Sequence, residues 1–255
     1  MGFLHEGHLS LIRKAKKEND IVVVSIFVNP TQFAPHEDLA KYPRDIARDT
    51  KLADQAGCDV LFVPSSEEMY PKTFSTFAVV EGLSSTLEGK FRPIHFKGVT
   101  TVVLKLFNII QPDAAYFGQK DAQQSIIIKK MVNDLNIPVR IHIEPTVREA
   151  DGLAMSSRNV YLTPDQRKHA VVLRQSLIFA ESMIASGERN SDKILNGMKS
   201  MILTNDQVQI DYIEIVDSET LESKISLLDG EKILLPLAVR FGTTRLIDNI
   251  IVTVQ

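Results

Sequence analysis

The chain has 255 residues, enough for one large domain or two small ones, and 44% of them are hydrophobic, ordinary for a globular enzyme with a sizeable core. Its formal net charge is −3, and no basic stripe interleaved with aromatics runs through it, which argues against nucleic acid as the main partner. The single Cys58 excludes an internal disulfide, no apolar stretch is long enough to span a membrane, and no secretory leader pattern begins the chain, so a cytoplasmic protein is expected.

The chain opens with Met-Gly-Phe-Leu-His-Glu-Gly-His and runs into an amphipathic stretch from Leu9. If that stretch is a helix, His5 and His8 lie at its positive end, where backbone N–H groups favour an anion such as a triphosphate. Gly7 lets backbone approach a phosphate, and two imidazoles can donate to oxygens that gain charge as pyrophosphate leaves. The i, i+3 spacing does not fit the His-Glu-x-x-His helix of zinc proteases, and no cysteine cluster accompanies the pair. Incidental histidines near a terminus are the plainer alternative.

From residue 20 to about 145, apolar β-branched runs alternate with periodic stretches. Residues 20–30, 58–64, 113–118 and 139–145 read as strands, closed by Asn29-Pro30, Pro64, Gly118 and Pro145. Residues 44–57, 97–111 and 121–136 between them read as helices, with Val99, Val102, Val103 and Leu106 on one face of the second. Near-continuous apolar strands separated by helices predict a parallel α/β sheet covered on both faces. After about residue 146 the pattern changes. Residues 163–187 and 190–203 read as helices, the first with Thr163 as N-cap and Pro164 at the first helical position. Residues 208–217, 232–242 and 244–254 then read as strands without spacers for parallel crossovers, and Pro236 suggests an edge or a bulge. The expected division is a parallel-sheet domain over 1–146 and a smaller C-terminal α+β domain over 147–255.

Ligands of parallel sheets bind beyond the carboxyl ends of the strands. Asn29 and Gln32 follow the first strand and suit the hydroxyls and carboxylate of a small polar substrate, although an Asx turn closing the strand fits equally well. Gly118, Lys120, Asp121 and Gln124 follow the third, with Asp121 as a helix cap and Lys120 as a point charge for phosphate or a plain surface lysine. Ser156, Ser157 and Arg158 offer two hydroxyls and a guanidinium, either as a clamp for phosphates or as a solvated linker. Arg92, His95 and Lys97 add positive charge ahead of a helix.

In order along the chain, MGFLHEGH, SIFVNPTQF, YPRD, LEGKFRPIHFKGV, KLFNIIQPDAAYFGQKDAQQ, VREADGLAMSSRN and TTRLIDNI resemble the pantoate–beta-alanine ligase family. A lone His-x-Gly-His would mark only the wider nucleotidyltransferase superfamily. The resemblance implies a Rossmann-like nucleotidyltransferase domain, a homodimer, and condensation of pantoate with beta-alanine using ATP and Mg²⁺. Pantoate would attack the α-phosphorus to give pantoyl adenylate and pyrophosphate, and beta-alanine would then release AMP. By the same resemblance His5, His8, Lys120 and Arg158 would be catalytic. Met1, Gly7, Gly118, Asp121, Val147, Met155, Ser156 and Ser157 would complete the ATP site. Asn29, Gln32 and Gln124, with an apolar wall of Met1, Val102, Val103 and Phe117, would hold pantoate and beta-alanine. Asp49 matches an acidic position associated with magnesium, though its neighbour, acidic in some members, is Arg48 here. The family also carries a strand ahead of the Met-Gly turn, so the first strand of the sheet is expected to be missing, with Met1 an internal methionine of a longer reading frame or the chain a truncated form. On that reading the 255 residues alone are expected to fold poorly and adenylate weakly.

Overall fold

Leu9, Ile12 and Ala15 fall on one side of a 3.6-residue repeat, and the segment forms α1 (Glu6–Glu18) with those three buried. It begins at Glu6 rather than at Leu9, because His5 takes the N-cap position. The computed structural model describes residues 2–35, 37–40, 42–204 and 208–255. Two units divide the chain, one of residues up to 119 with 123–145, the other of 120–122 with 146–255.

In the first unit, β1 (Val23–Ser25), α2 (Ile46–Gln55) and β2 (Val60–Phe62) make a crossover whose strands pair in parallel, Val23 opposite Val60. The short α3 (Ser66–Met69) and α4 (Glu88–Phe91) lead to α5 (His95–Ile110). Then β3 (Ala114–Gly118), α6 (Ala122–Asp134) and β4 (Arg140–Glu144) repeat the crossover, with Ala114 opposite Arg140. The parallel pairing is therefore in two pairs, and among the described residues no ladder joins β1 to β3. The pairs still share their covering layers. Tyr116 of β3 packs with Val24 and Leu61 against Ile12 and Ala15 of α1, while Phe117 packs with Phe62 against Val99, Val103 and Ile128 of α5 and α6. Alternate side chains of one strand thus go to opposite helical layers, as a doubly covered parallel layer requires.

In the second unit, Thr163 accepts the N–H of Gln166 and Gln166 returns a bond to the Thr163 N–H, so α7 (Pro164–Ala170) starts on a capping box. The expected single helix over 163–187 is two, α7 and α8 (Val172–Ala185). Val171 between them keeps helical angles, so the interruption lies in the hydrogen bonding rather than the backbone conformation. After α9 (Ser191–Ile202) come β5 (Val208–Ile213), β6 (Val216–Asp217), β7 (Lys232–Phe241) and β8 (Thr244–Thr253), all antiparallel. Ile233, Leu235, Leu237, Val239 and Phe241 share one core with Leu173 and Leu177 of α8 and Ile194 and Met198 of α9.

Pro236 is not on an edge, because β7 pairs with β8 on one side and with β5 and β6 on the other. The irregularity is in the neighbour. β5 ends opposite Leu237, β6 begins opposite Leu234, and the chain between them gives Pro236 only a donor, the Glu214 N–H at 3.2 Å from its carbonyl. A residue without an N–H fits an interior strand where its partner strand is broken.

Candidate active site

The turn ahead of α1 is shaped by backbone as much as by side chains. The N–H of His5 donates to Nδ1 of His8 at 3.3 Å. A ring nitrogen that accepts carries no proton, so the neutral His8 ring keeps its proton on Nε2 and is a donor there. The two rings lie 4.0 Å apart between centroids. Two imidazoles and the first-turn N–H groups of α1 therefore stand at its positive end. Gly7 is the second residue of α1, its carbonyl accepting from Ser10 Oγ at 3.0 Å.

Beyond β1 the chain runs to Asn29, 2% exposed, whose amide is fully engaged. Oδ1 accepts the Thr31 N–H at 3.4 Å and the Tyr70 hydroxyl at 2.9 Å, and Nδ2 donates to the Gly98 carbonyl at 3.1 Å and to Gln32 Oε1 at 3.3 Å. Asn29 forms the Asx turn and also ties it to α5; burial pushes the Tyr70 phenol up. Gln32 rides the 3₁₀ turn Pro30–Gln32, half-buried. That turn can approach α5 because position 98 is glycine. A Cβ there would lie 2.5 Å from the Thr31 carbonyl oxygen and 2.6 Å from Gln32 N and Cα. Arg92 grips Glu37 through both oxygens at 2.8 and 2.9 Å, and His95 Nδ1 lies 3.1 Å from the Gln32 carbonyl. Burial pulls the Glu37 carboxyl up most strongly of any single influence, but the hydrogen bonds and charge of Arg92, with a backbone hydrogen bond at Ala34 and the charge of His95, together leave the group below its usual range.

Val102 and Val103, buried on α5, share one apolar cluster with Phe117 of β3. Gly118 ends that strand facing open space, since a Cβ there would meet nothing within 4 Å. Gln124 is half-buried in the first turn of α6. Its buried neighbour Gln123 spends its amide on the Glu88 N–H and the carbonyls of Leu83 and Thr86.

In the second unit, Lys120 and Asp121 lie on the 3₁₀ turn Gln119–Asp121 that enters α6. Asn249 Nδ2 donates to the Lys120 carbonyl at 2.9 Å. The adjacent Asp248, with a side chain 1% exposed, takes a forked pair from Arg148 at 2.6 and 2.9 Å. Arg148 bridges to Ala154, and the Met155 N–H donates to the Val147 carbonyl at 3.0 Å, so Val147 and Met155 are held in a small hairpin. Ser156 then accepts the Arg158 N–H on its Oγ at 3.2 Å. Ser156, Ser157 and Arg158 therefore form one half-buried, hydrogen-bonded turn instead of a solvated linker.

The sequence assigns no role to Tyr70, Gly98, Arg148 and Asn249, because each acts on a residue far along the chain: Tyr70 on Asn29, Gly98 on the turn of Thr31 and Gln32, Arg148 on Asp248 and Asn249 on Lys120. Met1, expected against the nucleotide and pantoate, lies outside the described residues.

Asp49 does not fit a metal site. Its oxygens accept the Phe3 N–H at 2.6 Å and the Leu4 N–H at 2.7 Å, with Arg48 at 3.3 Å. Among the described residues no group of three or more His, Cys, Asp or Glu could hold a metal ion. Donor hydrogens and a guanidinium around a carboxylate leave it little capacity to bind a cation.

Parallel crossovers with polar turns after their strands, a histidine-flanked helix start, and a following antiparallel unit define an α/β protein with parallel strands in its first unit and a separate antiparallel sheet in its second. A family model described as pantoate-beta-alanine ligase matches residues 1–251. The chain belongs to the pantoate-beta-alanine ligase family, a family of ligases. It is 57% identical over 254 residues to a pantothenate synthetase of Acetivibrio thermocellus, covering 100% of this chain and 90% of that one. It is 55% identical over 255 residues to that of Moorella thermoacetica, covering 100% and 89%. Among solved structures, a pantothenate synthetase from Thermus thermophilus superposes with TM-score 0.93 at 47% identity, covering 98% of this chain and 90% of that one. A pantoate-beta-alanine ligase from Francisella tularensis, complexed with beta-gamma ATP and beta-alanine, superposes with TM-score 0.77 at 38% identity, covering 98% and 86%.

Proposed function

We propose that the protein condenses pantoate with beta-alanine in two steps at the expense of ATP. The pantoate carboxylate attacks the α-phosphorus and pyrophosphate leaves; the beta-alanine amine then attacks the acyl carbon of pantoyl adenylate and AMP leaves. The observation that carries this reading is the His5–His8 pair, 4.0 Å apart at the start of α1, with His8 set as a donor on Nε2. A pre-set donor aimed at oxygens that gain charge stabilises the transition state more than the ground state.

The remaining roles follow the family resemblance. Lys120, Ser156, Ser157 and Arg158 bind phosphate oxygens, with Gly7 and Gly118 admitting backbone close to the nucleotide. Asp121 takes the ribose hydroxyls, and Val147 and Met155 lie against the nucleoside. Gln32 and Gln124 bind the hydroxyls and carboxylate of pantoate against Val102, Val103 and Phe117. Asn29, its amide occupied, serves the substrate by holding Gln32 in place. ATP enters as its magnesium complex, the metal carried by phosphates and water. The homodimer and the cytoplasmic location rest on the resemblance alone; sedimentation at micromolar concentration tests the first.

The test is ATP consumption with each acid in turn. Pantoate with beta-alanine should yield AMP and pyrophosphate in equal amounts. Release of ADP and phosphate, or turnover without pantoate, would refute the proposed chemistry.

A further inference from the structure

We infer that Asp49 is the positioning residue of the histidine turn, not a ligand of magnesium: its carboxylate holds the backbone that sets His5. The inference rests on the reading that His5 acts in the adenylation step.

Asp49 sits in the first turn of α2, 1% exposed. Its two oxygens meet two consecutive N–H groups, Phe3 at 2.6 Å and Leu4 at 2.7 Å, from a segment more than forty positions away in the chain. Phe3 has φ +50°, the left-handed region that a residue with a side chain rarely adopts. Left-handed backbone turns successive N–H groups toward one point and forms an anion-binding nest. Here the anion is the chain's own carboxylate.

A buried carboxylate is stable only when its lone pairs are satisfied, and two backbone donors with the Arg48 guanidinium at 3.3 Å do so. Arg48 also lies over the Phe3 ring, 4.8 Å from its centroid, which fixes the strained residue from its side chain as well. Leu4, fully buried between Phe3 and His5, cannot shift without carrying both. The N-cap angle of His5, and with it the direction of both imidazoles, therefore depends on Asp49. A cation at this carboxylate would face two N–H groups and a guanidinium, which is the wrong polarity for a metal site.

The experiment compares wild type, Asp49→Asn, His5→Ala and the double variant. It reads amide hydrogen exchange at Phe3 and Leu4, pantoate-dependent exchange of labelled pyrophosphate into ATP, and the Mg²⁺ concentration for half-maximal rate. In the wild type both amides should be protected, and in Asp49→Asn they should exchange about tenfold faster or more. Asp49→Asn should lose about 10²-fold in rate, the scale of a 1 Å misplacement, with its Mg²⁺ midpoint unchanged and no further loss when added to His5→Ala. Unprotected amides in the wild type, a midpoint moved to higher Mg²⁺, or a loss that multiplies with His5→Ala would overturn the inference. A near-normal rate in His5→Ala would instead overturn the reading of His5, and the amide exchange would still decide whether Asp49 holds the turn. Should Asp49→Asn not fold, Mn²⁺ alone added to the wild type decides the metal question. Selective broadening of the Phe3 and Leu4 amides contradicts the inference, and unbroadened signals support it.

Discussion

Replacing Gly98 by alanine puts a methyl carbon where Thr31 and Gln32 already stand. The new Cβ would lie 2.5 Å from the Thr31 carbonyl oxygen and 2.6 Å from Gln32 N and Cα, all backbone atoms with no rotamer to escape through. A C–H against a carbonyl oxygen settles at ~3.3–3.6 Å, so the turn and α5 must separate by roughly 1 Å. Overpacking of this kind costs ~1–3 kcal/mol. The same movement stretches the bond from Asn29 Nδ2 to the Gly98 carbonyl, now 3.1 Å, and takes Gln32 with it. For a chain of this size the stability loss appears as a Tm lowered by about 2–4 °C per kcal/mol. The displacement of Gln32 should lower kcat/KM for pantoate by up to about 10²-fold while the KM for ATP changes much less. Steady-state kinetics in each substrate, with a thermal melt of both proteins, reads both effects. Wild-type kcat/KM for pantoate in a Gly98→Ala protein would refute the reasoning that this contact positions Gln32.

His5→Ala and Lys120→Ala should each lower single-turnover adenylation by ~10²–10³, the usual cost of one transition-state donor, and near-normal rates in both would contradict the site assignment. Arg148→Ala strands the buried Asp248 carboxylate and should cost ~3–5 kcal/mol in a denaturant melt; a change inside experimental error would show the pair to be dispensable. The Glu37 carboxyl titrates below its ordinary value of 4.5, so its pairing with Arg92 stabilises the fold above that value and is lost as pH falls through the lower folded one. The stability difference between wild type and Glu37→Gln should therefore shrink as acid is added, and a pH-independent difference would exclude that linkage.

Local pattern made most of the longer helices and the order of the strands readable, although 163–187 read as one helix and 208–217 as one strand. Thr163 with Pro164 announces the start of α7, and the α/β texture up to β4 follows from apolar runs that alternate with 3.6-residue periods. The split of the parallel pairing into two pairs was not readable, because β1 and β3 carry the same kind of apolar run whether or not a strand lies between them. Pro236 misleads for a related reason. A proline signals a missing donor but not which neighbour is broken, and here the gap lies between β5 and β6.

The site is legible where one short segment carries its chemistry, as in the His5–His8 turn. It is not legible where a side chain acts on backbone elsewhere. The family resemblance associates Asp49 with magnesium, with Arg48 a departure from the pattern; only the folded chain shows the Asp49 oxygens on Phe3 and Leu4. Gly98 inside a helix reads as a propensity cost until the Pro30–Gln32 turn is seen against it.

In the proposed reaction pantoate is activated on the α-phosphorus of ATP before beta-alanine reacts. The most direct measurement is exchange of labelled pyrophosphate into ATP by the protein, with pantoate present and beta-alanine absent. Exchange should require pantoate and fall sharply in His5→Ala; exchange indifferent to pantoate, or none until beta-alanine is added, would contradict the proposed order of steps.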